Sequence, residues 1–331
     1  MHQPQWEINP GIISGDTADI YFVRTVAILR QEGLNPVVTM EVFPGRAGIL
    51  CGIKEVKALL DQVLPAGSEV WALSEGDAIQ RKEIVLRITA PYQDFGVYET
   101  SIIGILAQCS GWAAAARECV EAAQGIPVIS FGVRHVHPLV GGVMDYAAVA
   151  GGCLSCSSIA GARLAGVVPA GTMPHALILV MGDTAKATLA FDKHMPPEVP
   201  RISLVDTLRD EVEESVIVAK ALEGRLAGVR LDTPSERGRV TSDLVKEVRA
   251  NLDLAGFNEV RILVSGGLDP ERIKYFLDEG APVDGFGVGS YISGARPNDF
   301  TADLRAIEGK PVAKRGRLPG ITSNPRLQRI I

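Results

Sequence analysis

An α/β fold, with a partial or complete α/β barrel preceded by an N-terminal α+β domain, is the architecture the sequence predicts. Three observations predict it. From about residue 126, short β-rich runs alternate with stretches of helical periodicity, the pattern of βα units and a parallel sheet. Glycines and polar residues gather where those runs end, which is where an α/β barrel builds its site. Before residue 126 the pattern changes several times, as in a separate region with its own small core. A chain of 331 residues suits one large or two moderate domains. The expected limits are 1–125, joined by the 300–331 tail, and 126–299.

In chain order, residues 17–33 read as a helix with Ile20, Val23, Ala27 and Ile28 on one face and Gly33 as its stop. Residues 52–63 read as a short helix. Residues 68–92 alternate as strands around the turn Ser74-Glu75-Gly76-Asp77. Residues 100–123 form a helix of small residues suited to close packing. The β-rich runs that follow are PVISFGV, GVVPAG, RISLVDT, LAGVRLDT, VRILVSGG and VDGFGVGS. Six or seven such units suggest a barrel or partial barrel rather than an open sheet. Between them, Leu244, Val245, Val248 and Leu252 share a helical face. Asp269-Pro270-Glu271 is an N-cap, an N1 proline and a first-turn acid, with Gly280 as the stop.

Composition excludes several classes. The net charge is −6 and no basic block serves as a nucleic-acid footprint; the KRGR run at 314–317 reads as solvated surface. The apolar stretches are broken by Gly, Pro and polar residues, so no membrane span is expected. The N-terminus MHQPQWEINPG lacks the pattern of a signal peptide. Five cysteines, an odd number, make no disulfide framework, and a cytoplasmic location is expected. Cys153 and Cys156 form a C-x-x-C with no second ligand pair for zinc, and read as small residues in a tight segment.

Two late segments have the makings of a phosphate cradle. VSGGLDPER (264–272) is strand, glycine turn and helix start, and GFGVGS (285–290) is a strand ending in spaced glycines and a serine. Glycine lets backbone N–H groups approach phosphate oxygens closely; the alternative is that the glycines only turn the chain. Arg230 and Asp232 alternate onto one face at a strand end, where an acid suits ribose hydroxyls or Mg²⁺ and an Arg suits a carboxylate or phosphate. Asp206 is another strand-end acid. A surface ion pair is the bland alternative for each. In FGVRHVHP (131–138), His135 and His137 alternate in direction with Arg134, which argues against a three-residue cluster. GTMPHAL (171–177) reads as strand, glycine turn and helix, with His175 at the helix start facing the pocket mouth.

Taken together, these runs resemble the nicotinate phosphoribosyltransferase family, especially its shorter members. The matching runs are DIYFVRT (19–25), APYQDFGVYETSIIGILAQ (90–108), FGVRH (131–135), SIAGARLAG (158–166), GTMPH (171–175), LVDT (204–207), VRLDT (229–233), VSGGLD (264–269) and FGVGS (286–290). They cover most of residues 15–295 in the family's order. The resemblance implies a type II phosphoribosyltransferase barrel and a homo-oligomer, at least a dimer with shared active sites. Tyr21 would then stack on the pyridine ring from a neighbouring subunit. Arg134 would hold the nicotinate side, with Ser157 and Thr172 in the same substrate-binding set. His175 would be the histidine phosphorylated by ATP, a co-substrate. Asp206, Arg230 and Asp232 would line the ribose and pyrophosphate region with Mg²⁺. Ser265, Gly266, Gly267, Gly287, Gly289 and Ser290 would hold the 5′-phosphate of phosphoribosyl pyrophosphate (PRPP).

The related nicotinamide-using enzymes carry an aspartate at the position of Ser157. A serine donates to a carboxylate without repelling it, which favours an anionic pyridine. DTLRD (206–210) departs from the family's more usual D-T-Y-D at a ring-contact residue. The chain lacks the cysteine-bearing metal knuckle of some short relatives, so no structural zinc is expected. Three rivals remain. Quinolinate phosphoribosyltransferase shares the architecture but needs further basic residues for a second carboxylate, and its basic motifs are not found. A catalytically silent ligand-binding relative is opposed by the joint retention of His175, Asp206, Arg230 and Asp232. An unrelated barrel acting on a sugar phosphate leaves the early DIYF and YET segments without a role.

Overall fold

The computed structural model describes residues 6–331; residues 1–5, part of the stretch read as lacking a signal peptide, lie outside the described residues. By its internal contacts the chain divides into two compact units, 1–114 with 295–331, and 115–294. The helix Glu99–Ala122 contributes to both, so the division falls inside it and ahead of the change in sequence pattern at 126.

The first unit is built on a six-stranded antiparallel sheet. Its order is Lys310–Pro311, Phe300–Ile307, Val37–Pro44, Leu86–Pro91, Glu69–Ala72, Gln328–Arg329. Leu86–Pro91 alternates buried and half-buried residues, as period-two patterning requires. Ile53, Val56, Leu59 and Leu60 of the helix Ile53–Val63 join the same apolar core. The Ser74–Asp77 turn supplies that helix with a cap from elsewhere in the chain. The Glu75 carboxylate accepts hydrogen bonds from the Gly52 amide at 2.7 Å and the Lys54 amide at 3.2 Å.

Burial and the nearby Glu75 push the Glu55 carboxyl up to about 7, from an ordinary 4.5. The folded state therefore holds this proton more tightly than the unfolded chain does. The resulting stabilisation is complete below about pH 4.5 and is lost as pH rises through about 7. Glu99, raised to about 7 mainly by burial, acts in the same direction. Urea midpoints measured across this window should therefore fall with pH in the wild type. Glu55→Gln should flatten the slope in part, and adding Glu99→Gln should flatten it further. A slope unchanged in the double variant would rule both groups out.

One expectation about this unit needs correction. The helix forms over Ile20–Gln31, but the face bearing Ile20, Val23 and Ile28 is exposed, and Val26 is its buried residue. Periodicity identifies an apolar face; it does not say what covers it.

The second unit carries a curled half-barrel of six parallel strands. Their order is Ser155–Cys156, Val128–Ser130, Gly285–Val288, Arg261–Val264, Gly228–Leu231, Ile202–Leu204. The helix Ser242–Leu254 buries Val245, Val248 and Leu252. The helix Pro270–Asp278 starts at Asp269, whose carboxylate accepts from the Arg272 amide at 2.8 Å. Among the described residues, no helix is long and apolar enough to cross a membrane.

GVVPAG (166–171) is not a strand, contrary to expectation. Gly166 closes the helix Ile159–Ala165 in a left-handed conformation at φ 70°, Pro169 has no amide for a ladder, and Val168 is 82% exposed. The edge strand is Ser155–Cys156 instead, and the Ala170 amide donates to its Cys156 carbonyl at 2.8 Å. The start of GTMPHAL is likewise irregular, and its helix begins at His175. All five cysteines are buried and free.

Candidate active site

The C-terminal ends of the parallel strands surround a cavity of about 430 Å³, the end at which α/β sheets bind ligands. Arg134, Ser157, Thr172, Arg230, Asp232, Ser265, Gly266, Gly267, Gly287, Gly289 and Ser290 all line it. Five of the six strands deliver lining residues at or just past their C-terminal ends.

Arg230 projects from the strand Gly228–Leu231 with its guanidinium 5.7 Å from the centre of the Phe131 ring. Its Nε is buried without a protein partner, so a donor is left for a ligand. Burial draws its pKa down, while Asp232 and Asp206 oppose that. Asp232 accepts from Ser265 Oγ at 2.8 Å, which ties the acid to the 265–267 loop. Gly266 and Gly267 adopt φ of 91° and 64°, the left-handed region that glycine occupies without strain. A Cβ on Gly287 would sit 2.4 Å from the Phe131 ring, so glycine there makes room for the ring that backs Arg230.

His175 and Asp206 stand beside these residues rather than among the lining set. His175 opens the helix His175–Met181 directly after Pro174, which does line the cavity. Its Nε2 lies 3.0 Å from Asp206 Oδ2; the imidazole is 40% exposed and the carboxylate 1%. Burial pushes the Asp206 carboxyl up, His175 holds it down, and the Asp232 charge adds a smaller upward push. Asp206 Oδ1 is buried with no partner. Ser157 Oγ is in the same condition on the cavity wall.

Tyr21 belongs to the first unit, where it is 56% exposed and its hydroxyl donates to Asp19 at 3.3 Å. The alternation expected through 134–137 does not occur. Residues Val133–His135 form a 3-10 turn, so Arg134 and His135 both reach the cavity, while His137 accepts from the Leu139 amide. Phe131 and Met173 are lining residues that sequence reasoning did not single out. For Phe131 a signal was present: a large ring directly after a strand, opposite a glycine-bearing strand end.

A parallel half-barrel with glycine loops and an Arg–Asp pair at its strand ends defines a class, the type II phosphoribosyltransferases. The chain belongs to the quinolinate phosphoribosyl transferase family: residues 19–110 match the model of its N-terminal domain and 112–303 that of its C-terminal domain. A nicotinate phosphoribosyltransferase of Mycobacterium tuberculosis is 33% identical over 227 residues, covering 68% of this chain and 48% of the relative. One of Bacillus subtilis is 26% identical over 223 residues, covering 66% and 44%. The chain thus spans about half the length of the curated relatives it matches. The crystal structure of a nicotinate-nucleotide pyrophosphorylase from Pyrococcus furiosus superposes with a TM-score of 0.87 at 44% identity, over 97% of this chain and 82% of that one. Human nicotinic acid phosphoribosyltransferase shares the fold, with a TM-score of 0.72 at 18% identity over 92% and 77%.

Proposed function

We propose that the chain is a nicotinate phosphoribosyltransferase, forming nicotinate mononucleotide and pyrophosphate from nicotinate and PRPP in NAD synthesis. The observation that carries this reading is that one cavity is lined by two kinds of anion-binding group. Arg134 and the unpartnered Ser157 hydroxyl suit one carboxylate, and the glycine loops at 265–267 and 287–290 suit a phosphate. The names borne by the curated relatives support it, whereas the Pyrococcus furiosus structure, a nicotinate-nucleotide pyrophosphorylase, is of the quinolinate type.

In the reaction the pyridine nitrogen forms a bond to the anomeric carbon of PRPP as the bond to the pyrophosphate oxygen breaks. Positive charge develops on the sugar and negative charge on the leaving group. Asp206 and Asp232 face the first, Arg230 faces the second, and positioning supplies much of the rest. Magnesium fits the donors present: Asp206 offers an unpartnered buried oxygen and Asp232 lines the cavity. No group of three or more His, Cys, Asp or Glu among the described residues could hold a metal alone, so substrate oxygens would complete the shell. When bound, the ion neutralises charge on the pyrophosphate.

ATP hydrolysis enters through His175. With Nε2–H donated to Asp206, Nδ1 keeps its lone pair for the phosphoryl group, on a half-exposed ring. A phosphohistidine then adds negative charge beside the site and changes its affinity for PRPP and pyrophosphate. The reading includes an oligomer, at least a dimer, in which Tyr21 of one subunit stacks on the pyridine of another. The exposed apolar row of Ile20, Tyr21, Val23 and Ile28 supports that part.

A second reading, decarboxylating transfer to quinolinate, is favoured by the family description and by a second cavity arginine, Arg230. Ser157→Asp tests the carboxylate end of the first reading. A carboxylate facing a carboxylate should lower kcat/KM for nicotinate by about 10²-fold while improving the relative use of nicotinamide. Unchanged selectivity in steady-state assays would remove Ser157 from the substrate's carboxylate.

A further inference from the structure

Asp145 is a fully buried carboxylate with no part in the chemistry above. It lies in the helix Pro138–Ala150 at 0% exposure. A carboxylate so placed is tolerable only when its lone pairs are satisfied. Oδ1 accepts from Ser130 Oγ and Oδ2 from the Ser158 amide, both at 2.8 Å.

Each partner is the chain neighbour of a cavity residue. Ser130 ends the strand Val128–Ser130 and precedes Phe131, the ring against Arg230. Ser158 follows Ser157, whose hydroxyl is buried and unpartnered. Because a peptide is planar, a bond to the Ser158 amide fixes the plane on which Ser157 is mounted. Ser158 Oγ in turn accepts from the Gly161 amide at 3.1 Å, which closes the turn. The carboxylate has no room to swing toward that helix. A Cβ on Gly161 would lie 2.4 Å from Asp145 Cβ.

We propose that Asp145 is a positioning residue that sets selectivity for the acid form of the pyridine substrate. It presents the Ser157 hydroxyl to the substrate carboxylate and, through Ser130, holds the Phe131 side of the same cavity. Its own charge stays behind one peptide unit and does not face the anion. This inference rests on the pyridine-acid reading of the Ser157 end. The 287–290 loop continues the strand paired with Val128–Ser130, and the Phe131 amide donates to the Val288 carbonyl at 2.8 Å. The readout of the clamp is therefore the ratio of acid to amide turnover, in which a common change in PRPP binding cancels.

Two variants separate positioning from bulk stability. Asp145→Ala strands the Ser130 hydroxyl and the Ser158 amide. Asp145→Asn keeps an oxygen for the amide and offers its NH₂ to Ser130 Oγ. The ratio of kcat/KM for nicotinate to that for nicotinamide should fall about tenfold in Asp145→Ala and should recover in Asp145→Asn. An unchanged ratio, with both activities falling in step, would overturn the proposal. If Asp145→Ala does not fold, Ser130→Ala, which cuts one of the two bonds, should move the ratio the same way by a smaller factor; no movement overturns it equally. Amide exchange across 157–161 supplies a readout independent of turnover, expected to be faster than wild type in Asp145→Ala and close to it in Asp145→Asn. Wild-type protein that converts neither pyridine would sink the functional reading, and exchange would then decide the clamp alone, with equal rates in all three proteins overturning it.

Discussion

Replacing Arg230 with alanine is expected to lower kcat/KM for mononucleotide formation by about 10²–10³-fold, the scale seen when one preorganised donor leaves a site of developing charge. The residue is a cation in the cavity with Asp232, and Asp206 contributes to the field it feels. Without it, an anionic leaving group beside Asp232 loses the cation on that strand, and Arg134 is the other arginine lining the cavity. Its unpartnered Nε also means that no protein bond is broken at that atom, so the loss should fall on catalysis more than on folding. Arg230→Lys should recover only part of the rate. An ammonium keeps the charge but lacks the planar fork and the stacking on Phe131. Kinetics with PRPP varied would check this, and an alanine variant with wild-type kcat/KM would remove Arg230 from the mechanism.

The second large effect concerns energy coupling. His175→Ala should abolish stimulation by ATP and labelling of the protein from γ-labelled ATP, while ATP-independent turnover persists. The imidazole is half-exposed and is hydrogen-bonded to Asp206 at 3.0 Å. Removing it should cost about 1–3 kcal/mol, the scale of a bond to a charged group, and leave the fold intact. The buried Asp206, already pushed up by burial, would lose the group that holds it down, so it should protonate more readily in the variant. ATP stimulation that survives the substitution would exclude a phosphohistidine at this position.

Much of the half-barrel was legible because its strands end in glycine and polar runs that no helix interior tolerates. The Arg230–Asp232 pair could be read from strand alternation alone, and both residues line the cavity. The strand Ser155–Cys156 was not legible. It is two residues long and made of small side chains, and its pairing with Val128–Ser130 is a tertiary fact. Phe300–Ile307 was hidden for another reason. Its buried positions fall every third residue, and its Arg305 is matched by Glu41 at 3.2 Å across the sheet, so a charged segment passes as surface. The bond between His175 and Asp206 joins residues on separate βα units, and no spacing rule links them. Asp145 was overlooked because a helical position carries no mark of the polar groups it will meet.

Incubation of the purified protein with PRPP, Mg²⁺ and ATP, with nicotinate, nicotinamide and quinolinate offered separately, tests the central claim most directly. Nicotinate mononucleotide and pyrophosphate formed from nicotinate, with little product from nicotinamide and no carbon dioxide released from quinolinate, is the predicted result. Carbon dioxide and mononucleotide from quinolinate, with nicotinate left unused, would contradict it.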